Sequence, residues 1–143
     1  MGMNARLDTI QAAILLSKLE IFDWELKERD RIAKIYTDEL NSSFHVPVVP
    51  ENTISAWAQY TLQTKNRKKI LNYLKENNIP VMVYYPKPMH QQTAYKEFTL
   101  NENLSASSAL SRNVFSIPVH AYLTDLQLEY IIENLKKAKN LFL

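Results

Sequence analysis

The apolar positions of the first forty residues keep helical time. Leu15, Leu19, Phe22, Leu26, Ala33, Tyr36 and Leu40 follow steps of four and three, interrupted only where Arg29 stands in the stripe. This spacing predicts one face of a continuous helix over about 5–41. From Glu25 onward the other faces carry Glu25, Lys27, Glu28, Asp30, Arg31, Lys34 and Asp38, so this half is amphipathic. The half before it differs. Leu7, Ile10, Ile14 and Ile21 lay a second stripe beside the first, with Ala12 and Ala13 between. Residues 7–24 are therefore apolar over most of their circumference, and such a helix needs cover on nearly all sides. Its length would be ~55 Å at 1.5 Å per residue, whereas a compact chain of this size has a radius of gyration of only ~15 Å. The helix must bend onto its own core or project and meet another surface.

The remaining pattern predicts short elements. Val46-Pro47-Val48-Val49-Pro50 is extended by its prolines, and Glu51-Asn52-Thr53 reads as a polar turn. Residues 56–63 alternate, with Ala56, Ala58, Tyr60 and Leu62 on one face, which predicts a half-buried strand. Asn66 stands as the cap of a helix carrying Ile70, Leu71 and Leu74 and ending at Asn77-Asn78. Val81 to Tyr85 predicts a second strand, stopped by Pro86 and Pro88, with Tyr84 and Tyr85 on opposite faces and at least one in the core. Residues 91–113 read as short helices and loops. Val114 to Ile117 predicts a third strand, ended by Pro118. Thr124-Asp125-Leu126-Gln127 is a capping box, with Leu123 and Leu128 spaced as a hydrophobic staple. The last helix follows on Leu128, Ile131, Ile132, Leu135 and Ala138. The resulting order of elements is α+β: a long helix, then a small sheet with helices packed on it. No boundary or linker divides residues 1–143, which read as a single domain.

Composition narrows the chemistry. The 143 residues hold one glycine and no cysteine. Gly-rich phosphate loops need several glycines, so a P-loop or dinucleotide-binding fingerprint is excluded. Absence of cysteine excludes disulfides, thiolate metal sites and cysteine nucleophiles. Seventeen Lys and Arg against fifteen Asp and Glu are scattered, which argues against a nucleic-acid or anionic-membrane partner. No apolar run approaches the ~20 residues of a membrane span, and the opening residues lack a signal-peptide pattern. A cytoplasmic protein is expected.

Few side chains suggest a site. No metal-ligand spacing occurs among His45, His90 and His120. His90 stands apart, because it lies in a proline-stiffened segment just past a strand end, beside two tyrosines. Serines 105, 107, 108 and 111 lack a nucleophile-elbow context and read as caps or solvated positions. Trp24 and Trp57 suit core or interface anchoring. Lys65, Arg67, Lys68 and Lys69 read as a solvated helix start, where the arginine could meet a phosphate.

Four stretches, in order and in register, resemble the DegT/StrS-type sugar aminotransferases. These are pyridoxal-phosphate (PLP) enzymes of the aspartate-aminotransferase fold. Gly2-x-Asn4-x-Arg6-Leu7-Asp8-x-x-Gln11-Ala12-Ala13 is similar to the family's G-x-N-x-R-x-D-x-x-Q-A-A segment. Ser55 to Tyr60 resembles the strand after its long helix. Asn78 to His90 resembles its G-I-x-x-x-x-Y-Y-P-x-P-L-H segment, with Asn78 in place of the glycine. Ile117 to Thr124 resembles its L-P-x-H-P-x-L-T/S segment, with Ala121 in place of the proline.

The resemblance covers only the family's C-terminal part, so it implies the small domain of a fold-type I PLP enzyme without its large domain. That domain would hold the Schiff-base lysine, and no catalytic residue is expected in this chain, which alone should not transaminate. The full enzyme would use PLP to move an amino group, typically from glutamate, to a nucleotide-linked keto-sugar in amino-sugar or cell-surface glycan biosynthesis. Asn4 would reach the PLP phosphate of a dimer partner. Arg6, Tyr85 and His90 would contact the sugar nucleotide. The apolar helix would pack on the large domain and the partner subunit of a homodimer. A non-catalytic dimerising module for binding or regulation is the alternative.

Overall fold

The computed structural model describes residues 5–98 and 104–142. The long helix, α1, runs unbroken from Thr9 to Leu40. Asp8 caps it, its carboxylate accepting from the Gln11 amide at 2.9 Å, which satisfies one of the open N–H groups of the first turn. Its first half does not fold back onto the core. Only Ile32, Ala33, Tyr36 and Leu40 are buried. Leu7, Ile10, Ile14, Leu15, Leu16 and Leu19 are exposed. Of the two predicted outcomes for its apolar half, projection is the one observed.

The core gathers where the second half of α1 meets the rest. Tyr36 donates to the Pro118 carbonyl at 3.0 Å, and burial pushes its hydroxyl pKa well up. Tyr60 meets Tyr36 at a ring distance of 5.1 Å and shares a 2.8 Å hydrogen bond with Thr37. Strand β1 (Tyr60–Gln63) pairs antiparallel with β2 (Val114–Ile117), in a register that sets Leu62 opposite Phe115. Single bridges extend this ladder at both edges, His45 onto Gln63 and Met82 onto Ser116.

Both early strands are shorter than their alternation predicts. Trp57 has φ 46°, a left-handed conformation uncommon for a bulky residue. That turn interrupts the extended run, so β1 starts only at Tyr60. It leaves Ala56 and Ala58 exposed and carries the Trp57 ring into the core. There its indole N–H donates to Asp30 at 3.1 Å. Past Pro80, Val81 is buried and Val83 partly so, which keeps the alternation, but only Met82 pairs with the sheet.

The helices close the core. In α2 (Arg67–Glu76), Ile70 and Leu74 are buried. Asn66 sits at its cap position, yet its side chain reaches the Phe142 carbonyl instead of the helix amides. Asn78 ends this unit at φ 56°, a conformation that asparagine tolerates. Two 3-10 turns, Met89–Gln91 and Thr93–Phe98, precede α3 (Ser105–Asn113). Helix α4 (Asp125–Phe142) carries the predicted capping box, with Thr124 and Gln127 bonded reciprocally at 3.1 and 3.2 Å. Leu123 and Leu128 are both buried beneath it. Helix α4 packs on α1 and α2, joined by Arg31–Asp125 and Lys136–Glu39 ion pairs and by Tyr73–Asn134. The architecture is α+β, as the order of elements predicts. Among the described residues no helix is long and apolar enough to cross a membrane.

Candidate functional site

The chain leaves the sheet at Met82 and enters a segment stiffened by Pro86 and Pro88. Proline fixes φ and removes a backbone donor, which suits a stretch that pairs with no strand. Neither tyrosine of this segment is in the core. Tyr84 and Tyr85 are both exposed, Tyr85 at 68%, and their rings meet edge-on at 5.7 Å. The expectation of one core tyrosine fails because the ladder ends at Met82, before the sheet can carry either ring inward. Both rings, with Lys87 and Met89, form one wall of a cleft of about 470 Å³. Ser107, Leu110 and Ser111 of α3 form the other.

His90 lies in the 3-10 turn just beyond. Its Nε2 is 3.3 Å from the Ser108 hydroxyl and 3.3 Å from the Gln91 amide nitrogen. That amide also donates to the Ser108 hydroxyl at 3.2 Å. The imidazole is thus tied to α3 one residue after the cleft-lining Ser107. Helix α3 is itself held in place. The Ser111 hydroxyl donates to the Ser108 carbonyl at 3.0 Å. The Arg67 guanidinium donates to the carbonyls of Ser111 and Val114, at 2.5 and 3.1 Å. Burial lowers the Arg67 pKa. Arg67 therefore does not simply stand on a solvated face, since its guanidinium is bonded to the chain's own carbonyls. It clamps the junction where α3 becomes β2, two elements that share one stretch of chain and need their end carbonyls satisfied.

The other predicted residues lie elsewhere. Arg6 is exposed and precedes α1. The helix rises on the order of 35 Å between Thr9 and Ile32, its first buried residue. Arg6 is therefore not brought to Tyr85 and His90 of its own chain. Asn4 lies outside the described residues. At the base of the projecting half, Trp24 packs on Tyr122 at a ring distance of 5.5 Å. The Tyr122 hydroxyl donates to Glu25 at 2.6 Å, and this bond holds its pKa above the usual phenol value. The Nε of Arg29 is buried there without a hydrogen-bond partner.

The described residues do not make a PLP site. Schiff-base chemistry needs an enclosed lysine beside a pyridine-pairing acid. Of the lysines whose side chains are described, none is buried. Among the described residues, no three His, Asp or Glu side chains gather as a metal site would require.

Sequence reasoning missed Ser108, Gln91 and Arg67. Ser108 and His90 are 18 residues apart, and Arg67 and Ser111 are 44 apart. No local pattern signals either pairing.

A family model described as the DegT/DnrJ/EryC1/StrS aminotransferase family matches residues 1–136. The chain is 37% identical over 131 residues to a UDP-2-acetamido-2-deoxy-3-oxo-D-glucuronate aminotransferase of Pseudomonas aeruginosa, covering 91% of this chain and 36% of that protein. A crystal structure of a DegT DnrJ EryC1 StrS aminotransferase from Brucella abortus superposes with a TM-score of 0.90 at 41% identity, over 96% of this chain and 37% of that one. The S. venezuelae DesV structure, in complex with a ketimine intermediate, gives a TM-score of 0.90 at 27% identity, over 96% and 38%. The chain thus spans little more than a third of the length of these relatives.

Proposed function

The chain belongs to the DegT/DnrJ/EryC1/StrS aminotransferase family, and we propose that it forms the C-terminal, small-domain part of a PLP-dependent aminotransferase for a nucleotide-linked keto-sugar. The observation that carries this reading is the match over residues 1–136 together with a coverage of 36% of the Pseudomonas relative. Residues 1–143 are then one domain, and the PLP lysine belongs to a large domain outside it. Bound there, PLP supplies an electron sink for moving an amino group between a donor amino acid and a sugar ketone.

This chain's residues bind and orient. Tyr85 and His90 contact the sugar nucleotide from the cleft wall and its neighbouring turn. Asn4 and Arg6, which precede α1 in the sequence, serve the site of a partner subunit, Asn4 at the PLP phosphate and Arg6 at the sugar nucleotide. The exposed apolar half of α1 supports this placement, since a face of that size on a soluble protein marks an interface. A homodimer, a glutamate donor, a role in amino-sugar or surface-glycan synthesis and a cytoplasmic site complete the reading.

The test uses the protein encoded by the intact reading frame. Incubated with PLP, glutamate and a nucleotide-linked 3-keto-sugar, it should yield an amino sugar and 2-oxoglutarate by mass spectrometry. The 143-residue chain by itself should bind no PLP and form no product. A full-length protein that neither binds PLP nor aminates any keto-sugar nucleotide would leave the non-catalytic dimerising module as the better reading.

A further inference from the structure

One apolar line runs the length of α1 in steps of three and four, from Ala12 to Leu40. Such spacing keeps side chains on one face and suits knobs-into-holes packing against another helix. From Ile32 onward the chain's own core covers the line, with Tyr36 against Tyr60 and α4 alongside. Ahead of that point it is bare. Leu15, Leu19 and Phe22 are exposed, and Leu16 beside them is 66% exposed. Covering these side chains and their counterparts on an identical helix removes on the order of 1,000 Å² from water in total, the area at which a specific interface begins.

We propose that the bare line is covered by a second copy of this chain, the two α1 helices lying antiparallel with their two-fold axis at the level of Ser17. The pairing rests on the reading of α1 as a homodimer surface and names the stripe, the direction and the register. Direction follows from the shape of the chain. The globular body lies on the same face as the bare line, at its C-terminal end. Parallel helices joined through this line would drive two bodies into one another, whereas antiparallel ones set them at opposite ends. Register follows from size and charge. With the axis at Ser17, Leu15 faces Leu19 of the second copy, and the small Ala12 faces its large Phe22. Leu16 meets its own counterpart beside the axis. The line's two charged interruptions, Asp8 and Arg29, then fall one helical turn apart across the pair, acid beside base, twice by symmetry. Asp8 already accepts from the Gln11 amide, and a carboxylate has room for a further donor. The Arg29 Nε is buried without a hydrogen-bond partner in the single chain. Lys18 flanks the axis and faces its own copy, a like-charge contact at an exposed position that costs little.

The experiment uses the 143-residue chain, whose lack of cysteine leaves introduced thiols alone in it. Sedimentation velocity over a concentration series should show a monomer–dimer equilibrium. Leu16→Lys should raise its dissociation constant at least about tenfold, since a charge would have to be buried at the axis. Ile10→Lys, on the second apolar stripe, should leave it within about twofold, as for other exposed positions. Asp8→Asn keeps a capping oxygen and loses the charge, and should weaken the dimer about two- to tenfold at low salt. Disulfide formation in a glutathione buffer reads the direction. Positions 12 and 22 lie ~15 Å apart along one helix, well beyond the ~7 Å between Cα atoms that a disulfide spans. The double variant Ala12→Cys/Phe22→Cys should therefore give a covalent dimer with two crossed disulfides. Each single variant should cross-link no faster than it does with Leu16→Lys added. Rapid cross-linking of the single variants would mean a parallel pair and overturns the proposal. A dimer whose double variant stays uncross-linked overturns the register. A dimer broken by Ile10→Lys and spared by Leu16→Lys overturns the stripe. A wild type that is monomeric throughout overturns the pairing itself and leaves the cover to polypeptide outside this chain. Amination by the intact protein is measured separately, so the pairing can fail while the aminotransferase reading stands, and the reverse.

Discussion

The two halves of α1 share one apolar stripe, and that stripe ends up in opposite surroundings. In the second half, Ile32, Ala33, Tyr36 and Leu40 are fully buried against the sheet and α4. In the first half, Ile10, Leu15 and Leu19 lie 75%, 50% and 62% exposed. The apolar periodicity is as regular in one half as in the other. A hydrophobic stripe therefore reports that a face is meant to be covered, and says nothing of whether the cover belongs to the same stretch of chain. The boundary between the halves is built for the change. Trp24 and Tyr122 meet there with tilted rings, Glu25 holds Tyr122, and the stripe's only interruption, Arg29, falls there too.

Core truncation should separate the halves most sharply. Leu40→Ala should cost the 143-residue chain about 3 kcal/mol in urea unfolding, the usual penalty for an emptied core site. Leu19→Ala should change it by less than about 0.5 kcal/mol, as for other exposed positions. Equal losses at the two sites would mean that the first half is already covered.

Next in size is self-association. The isolated chain should oligomerise in sedimentation equilibrium through residues 7–24. The double substitution Leu15→Lys and Leu19→Lys should weaken this at least about tenfold, since two charges would have to be buried in an apolar contact. Concentration-independent monomers in the wild type would break the comparison at its base.

The third prediction concerns the side of α1 that faces the Trp57 turn. Lys34 and the Trp57 indole both bond the Asp30 carboxylate and hold its pKa below the usual carboxylate value. The stabilisation is therefore present above the unfolded pKa, near about 4, and is lost as pH falls through the lower folded value. Asp30→Asn should flatten the stability profile below about pH 4. At neutral pH it should cost at most about 1 kcal/mol, because the ion pair is solvent-exposed. A profile that keeps its wild-type slope would show that Asp30 does not hold the turn.

The smallest effect should come from Arg29. Its Nε is desolvated and unpartnered, so Arg29→Met should leave the isolated chain unchanged or up to about 0.5 kcal/mol more stable by thermal unfolding. A loss larger than about 1 kcal/mol would show that the guanidinium is held by contacts other than its Nε.

Much of the architecture can be read along the chain, where each cause is local. Asp8, Asn78 and the Thr124–Gln127 box do at the helix ends what their residue types suggest. The amphipathic stripes of α2, α4 and the second half of α1 bury the residues their spacing selects. The candidate site is legible only in part. The tyrosine–histidine segment stands out by its prolines, but its second wall does not. Ser107 and Ser108 look like ordinary serines of a short helix until the fold sets them against the cleft and His90.

What the sequence alone determines, then, is the order and kind of the elements, their capped ends, the faces they must bury and the family they resemble. Those follow from interactions within a few residues, where periodicity and side-chain chemistry act directly on the backbone. The tertiary structure decides the rest: that α1 projects instead of bending, that Trp57 turns inward and shortens β1, that Arg67 braces α3, and that Ser108 meets His90. Each of these joins groups whose proximity depends on the whole core being assembled. No local preference encodes such a meeting, because its energy is released only when distant segments have already been brought together.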